Sequence, residues 1–123
     1  MADEISVNVQ VSAVKGFLNV PRSASYQVNL NGSTYSSVFQ SIPTTSGGTA
    51  LAIATTVTTG GVYWFRNTDP TNYVTIGIVE SSTYYPIIKL EAGEVSIGRL
   101  FTLTLYAQAN TAAVVLEHSV LND

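Results

Sequence analysis

The sequence predicts an all-β fold: a single-domain antiparallel β-sandwich, jelly-roll-like, built from about eight to ten short strands. Three observations predict it. Val, Ile, Thr and Tyr are frequent while Lys, Glu and Arg are scarce, which is the composition of pleated, half-buried surface rather than of helix. Several runs alternate apolar and polar residues with a period of two. Clusters of Gly, Asn, Asp and Pro punctuate these runs at short, even intervals. With 123 residues, the chain is long enough to bury a core and too short for two comfortable domains. The expected organisation is an N-terminal arm over residues 1–4 and one sandwich over 5–123.

The elements follow in order. Ile5, Val7, Val9, Val11 and Ala13 alternate with Ser6, Asn8, Gln10 and Ser12, which predicts a half-buried strand. Tyr26, Val28 and Leu30 repeat the alternation, and Asn31-Gly32 predicts a tight hairpin into Thr34–Gln40. Gly47-Gly48 and Gly60-Gly61 bracket Thr49–Thr59, which reads either as a strand or as an ordered loop. Val62–Asn67 is strongly β-forming. The turn cluster Asn67–Asn72 separates it from Tyr73–Val79, so these two strands are expected to be hairpin neighbours. Pro86 lacks the N–H a ladder needs, so Tyr84–Leu90 is expected at a sheet edge or to start at Pro86. A turn at Glu91–Glu94 and strands at Leu100–Ala107 and Ala112–Leu121 complete the run. No helix, linker or internal repeat is expected.

Charge narrows the function. Only 11% of residues are charged, against roughly 25% in an average domain, so surface polarity comes largely from Ser, Thr and Asn. Neutral hydroxyls and amides lose little when another protein covers them, which suits life inside an assembly. The net charge is −3 and the cations are Lys15, Arg22, Lys89, Arg66 and Arg99, so no basic stripe is present and nucleic acid is not an expected partner. The absence of cysteine excludes disulfides and sulfur-based zinc sites. The start Met1-Ala2-Asp3-Glu4 is acidic where a secretory signal is basic, and no apolar run reaches the roughly 18 residues of a membrane span, so synthesis in the cytoplasm and no membrane embedding are expected.

Candidates for chemistry are few. His118, the one histidine, falls in phase with Val114, Leu116 and Val120, which assigns it to core or interface, and no Gly-x-Ser-x-Gly elbow accompanies the serines. Glu91 and Glu94 flank Gly93 in a turn too poor in oxygen ligands for calcium, and Asp69 before Pro70 is a turn former. Asn31-Gly32-Ser33 matches a glycosylation acceptor but is explained by its turn chemistry. No catalytic residue, metal ligand, cofactor or phosphate loop is expected, and the chain does not read as an enzyme. The aromatic runs Tyr63-Trp64-Phe65 and Tyr84-Tyr85 are different, because consecutive strand residues point to opposite faces. Either Trp64 packs inside with Val62 and its neighbours face out, or the reverse; in both cases aromatic surface is left for a partner or a sugar. Together with the arm residues Ala2, Asp3 and Glu4, the residues Tyr63, Trp64, Phe65, Tyr84 and Tyr85 form the expected partner interface.

From about residue 60 onward the sequence resembles the small β-sandwich structural proteins in virions of tailed bacteriophages. The resemblance lies in Val62–Asp69 with Thr71–Gly77, in Pro86–Glu94 and in Leu105–Asn110, roughly half the chain. It implies a virion component located in the virion after assembly in the host cytoplasm: a capsid decoration (cement) protein bound to the major capsid protein, or a neck or tail subunit. A homo-oligomer, in first place a trimer, is expected. A carbohydrate-binding module using Trp64, Tyr84 and Tyr85 is the alternative of another class.

Overall fold

The structure is a computed structural model that describes residues 5–123. Among these residues lie ten strands: β1 (Ile5–Lys15), β2 (Leu18–Val28), β3 (Tyr35–Ile42), β4 (Thr49–Ala50), β5 (Gly60–Asn67), β6 (Val74–Glu80), β7 (Thr83–Leu90), β8 (Val95–Arg99), β9 (Tyr106–Ala109) and β10 (Val114–Asn122). None of the described residues is helical, so no helix is long and apolar enough to cross a membrane. The chain divides into two compact units, one ending at Asn31 and one spanning Gly32–Asp123.

The first unit is a two-stranded antiparallel ribbon, with Ile5 opposite Val28 at one end and Lys15 opposite Leu18 at the other. The alternation of β1 is the source of its amphipathic character. The reversal is made by Gly16-Phe17, where Gly16 takes φ +58° and Phe17 stays at negative φ. A positive φ at the first central residue alone is the II′ pattern, which matches the twist of the strands it joins. The hairpin expected at Asn31-Gly32 is therefore corrected. Neither residue takes positive φ, and the partner of β3 is β10, more than seventy residues away along the chain. Gly32 serves close approach instead: a Cβ there would meet the side-chain amide of Asn122.

The second unit holds two four-stranded antiparallel sheets, ordered β3-β10-β5-β8 and β4-β9-β6-β7. The pairs β3/β10, β4/β9, β5/β8 and β6/β7 nest inside one another, so the chain runs like one long hairpin rolled up across both sheets. This winding corrects the expected pairing of Val62–Asn67 with Tyr73–Val79. β5 and β6 lie in different sheets, and the turn cluster between them crosses from one sheet to the other rather than closing a hairpin. The true hairpin is β6/β7, closed by Ser81-Ser82 with both residues at positive φ. Thr49–Thr59 is mainly an ordered loop, with a two-residue strand at its start and Leu51 and Val57 buried as anchors. The strand expected over Leu100–Ala107 is two shorter elements, β8 before it and β9 at its end.

β7 lies at the edge of its sheet, as Pro86 requires. The register slips there: Ile76 faces Ile88 while the next residue, Gly77, faces Pro86, leaving Ile87 as an extra, exposed residue. The bulge presses the Tyr85–Pro86 backbone onto Gly77 so closely that a Cβ would collide with the Tyr85 carbonyl oxygen. Only glycine fits.

The core lies between the two sheets. Phe65 from β5, Ile42 from β3, Leu116 and Val120 from β10 and Val74 and Ile76 from β6 are at most 1% exposed. Burying side chains of this size contributes about 1.5–3 kcal/mol each, which is the main force holding the sheets together. Asn67 is the polar exception. Fully buried at the end of β5, its Nδ2 donates to the carbonyls of Asn72 (2.8 Å), Leu90 (3.0 Å) and Glu91 (3.2 Å), and its Oδ1 accepts from the Asp69 N–H (2.9 Å). One amide thus ties β5 to the start of β6 and the end of β7.

Candidate functional site

The outer face of sheet β3-β10-β5-β8 is set by alternation. Positions 114, 116, 118 and 120 of β10 turn into the core, so Val115, Glu117 and Ser119 turn outward, and the register carries this to every strand. One row reads Phe39, Glu117, Arg66, Val95 across the four strands, and the next reads Ser37, Ser119, Trp64, Ile97. Phe39 is 66% exposed and Trp64 39%. The indole is held in place by its Nε1–H, which donates to Glu117 Oε1 at 2.8 Å, and Ser37 and Ser119 share a hydrogen bond at 3.0 Å. The face therefore presents fixed apolar groups among hydroxyls, with Glu117 and Arg66 as opposite neighbours near its centre.

The two readings left open for the aromatic run resolve by this geometry. Trp64 faces outward. Tyr63 and Phe65 turn inward with ring centroids 4.5 Å apart, and the Tyr63 hydroxyl reaches Ser96 Oγ at 2.9 Å. Phe65 is fully buried, which corrects its placement in a partner interface because a side chain filling the core has no surface to offer, and Tyr63 is partly buried against the same core. Ala2, Asp3 and Glu4 lie outside the described residues.

Tyr84 and Tyr85 belong to the other sheet, so Trp64 and this pair form no common platform. Tyr85 is half exposed. Tyr84 is partly buried, its hydroxyl 2.9 Å from Thr75 Oγ1, and burial pushes its pKa above the ordinary 10, so the phenol stays protonated. Beside it lies a shallow hollow of about 390 Å³ lined by Tyr73, Thr75, Tyr84, Pro86, Gln108 and Asn110. Its lining carries no charged side chain. Lys89 stands over the Tyr73 ring at 4.4 Å from the centroid and is paired with Glu91 at 2.6 Å, which raises its pKa.

His118 sits in the core in phase with Leu116 and Val120. Its Nε2 lies 3.0 Å from Gln40 Oε1, which fixes Nε2 as the protonated nitrogen, and burial lowers its pKa below the ordinary 6.5. Asp69 closes its turn by accepting the backbone N–H groups of Asn72 (2.6 Å) and Thr71 (2.8 Å), and these bonds hold its carboxyl below the usual range. Glu94 Oε1 accepts the Glu91 N–H within its own turn. Among the described residues, no group of three or more His, Asp or Glu is placed to hold a metal ion.

Sequence reasoning missed the exposed apolar side chains of the hairpin. Val9, Val11, Val14, Leu18 and Tyr26 are exposed, and Phe17 at the tip is fully so. The alternation of β1 is a usable signal for an apolar face, but not for how its exposure runs along the strand, with Val7 buried and Val9 and Val11 exposed. Comparison with known proteins finds no matching family model, no significantly similar curated protein and no significantly similar solved structure.

Proposed function

We propose that this chain is a non-enzymatic structural subunit of a tailed-phage virion, in first place a trimeric capsid decoration protein that binds the major capsid protein and stiffens the shell. The observation that carries the reading is the set of large apolar side chains left exposed on a weakly charged chain: Val11, Phe17 and Tyr26 on the hairpin and Phe39 and Trp64 on the outer face of β3-β10-β5-β8. Exposed apolar area of this kind marks protein–protein contact. The nested strand pairs support reading the sandwich as a jelly roll, an architecture used in viral shells. A small oligomer touching several shell subunits gains avidity of about 10²–10⁴ without new kinds of contact. A neck or tail subunit is the same reading at another place in the virion.

The test is on particles. Those lacking this protein release DNA earlier under heat or osmotic shock, and adding purified protein back restores their resistance. Equal survival with and without it refutes the cement role.

The hollow beside Tyr84 favours a second reading, a carbohydrate-binding module, because aromatic faces and uncharged amides suit a neutral sugar. Trp64, on the opposite sheet, takes no part in it. Glycan-array binding that disappears in Gln108→Ala supports this reading; an array without reproducible binding refutes it.

A further inference from the structure

We propose that Asn31 is a self-modifying site, where the backbone nitrogen of Gly32 displaces the Asn31 side-chain amide through a cyclic succinimide. The chemistry needs no partner, and it is independent of whether the chain joins a virion.

The sequence supplies the pair, and the structure frees it. Asn31 is the one asparagine followed by glycine. Ring closure brings the following backbone nitrogen onto the side-chain carbonyl carbon, and a Cβ on that following residue crowds the approach; glycine has none. The residue after Asn8, Asn19, Asn67 and Asn110 is β-branched, the most crowded case. In a two-residue hairpin turn the pair would be locked at positive φ between paired strands. Here neither residue takes positive φ, residues 29–34 belong to no strand, and Asn31 is exposed. Among the described residues, no hydrogen bond holds the Asn31 side chain or the Gly32 N–H.

The nucleophile is anchored while the carbon it attacks is free to turn. Just beyond Gly32, the Thr34 hydroxyl donates to the Thr56 carbonyl at 2.9 Å and the Thr34 carbonyl accepts the Asn122 N–H at 3.0 Å. Gly32 itself lies close against the Asn122 side-chain amide. A reaction between neighbours on one chain needs no encounter, so correct placement supplies much of its rate. Other asparagines are held back as well as crowded. Asn67 donates to three carbonyls, and Asn122 Oδ1 accepts the N–H groups of Thr58 and Thr59, each at 2.9 Å. Those bonds must break before either amide carbon can turn toward the next nitrogen.

The step balances with water as its only co-reactant. A C–N bond forms between Gly32 N and Asn31 Cγ, the bond from Cγ to the amide nitrogen breaks, and that nitrogen leaves as ammonia with the Gly32 proton. Water then opens the imide at either carbonyl. Opening at Cγ leaves aspartate; opening at the backbone carbonyl leaves isoaspartate, with one extra methylene in the main chain. Nothing is oxidised or reduced. The product carries one negative charge more than the −3 of the fresh chain, on the segment that joins the two units.

The experiment ages the full folded chain in neutral buffer at physiological temperature and maps its peptides by mass, with isoaspartate-specific methylation as the second readout. Asn31 is expected to exchange its amide for a carboxyl at least about tenfold faster than any other asparagine, and within about tenfold of its own rate in the chain unfolded by guanidinium, a barrier difference below about 1.4 kcal/mol. Isoaspartate accumulates beside aspartate. Asn31→Gln, at an exposed position and checked for folding by thermal melting, abolishes the methylation because its ring would need an extra atom. A folded chain that keeps the Asn31 amide while the unfolded chain loses it, or that loses another amide first, overturns the inference. Aspartate at position 31 without isoaspartate overturns the cyclic route.

Discussion

Asn67→Ala removes the amide that joins three segments of the sandwich, and its cost follows from the partners it abandons. The side chain is fully buried and serves the Asn72, Leu90 and Glu91 carbonyls and the Asp69 N–H. A typical hydrogen bond contributes about 0.5–1.5 kcal/mol net, but a buried group left without a partner costs about 1–3 kcal/mol. The Leu90 carbonyl is the buried one, while those of Asn72 and Glu91 lie nearer solvent and recover part of their loss from water. The sum is about 3–4 kcal/mol, at the upper end for a single substitution. Asn67→Asp keeps the acceptor for Asp69 but loses both donors and sets a carboxylate against three carbonyl oxygens. It is therefore expected to cost more than alanine, although it is closer in shape. Urea unfolding followed by Trp64 fluorescence reads both effects as a lower midpoint at an unchanged slope. A loss under about 1 kcal/mol for Asn67→Ala, or an aspartate variant more stable than the alanine one, refutes the stapling role.

Two further outcomes follow from the same packing. Gly77→Ala is expected to destabilise by about 2–4 kcal/mol, because the new methyl meets the Tyr85 carbonyl, which is backbone and held by the bulge; a thermal midpoint within 2–3 °C of wild type, a shift of well under about 1 kcal/mol, contradicts the close approach. His118 is kept neutral by burial, so below pH 6.5 the unfolded chain takes up a proton that the folded chain refuses. Its contribution is complete above that pH and is lost as pH falls toward the lowered folded pKa, with a slope of up to about 1.4 kcal/mol per unit. Urea midpoints between pH 8 and 5 should show that slope in wild type and not in His118→Leu; an equal slope in both refutes the assignment. Asp69, held below its ordinary 3.8, acts only at lower pH.

The parts of the fold legible in the sequence were those governed by local rules. Period-two alternation placed β1 and the inward phase of His118, and the missing N–H of Pro86 put β7 at an edge. Pairing was not legible, because it is decided by contacts far apart along the chain. Asn31-Gly32 is chemically the best hairpin turn in the sequence, yet the reversals fall at Gly16-Phe17 and Ser81-Ser82. β3 is drawn to β10 by the core that Ile42 shares with Val114 and Leu116, a gain that outweighs any turn preference. The aromatic run shows the same limit. Alternation requires Trp64 to oppose Tyr63 and Phe65, but which side is core depends on β10 lying beside β5 and setting Leu116 and Val120 on the same side as Phe65. The exposure of Val9 and Val11 was hidden for a related reason: their alternation with polar residues is what any half-buried strand shows, and it carries no information on how far each apolar residue is covered.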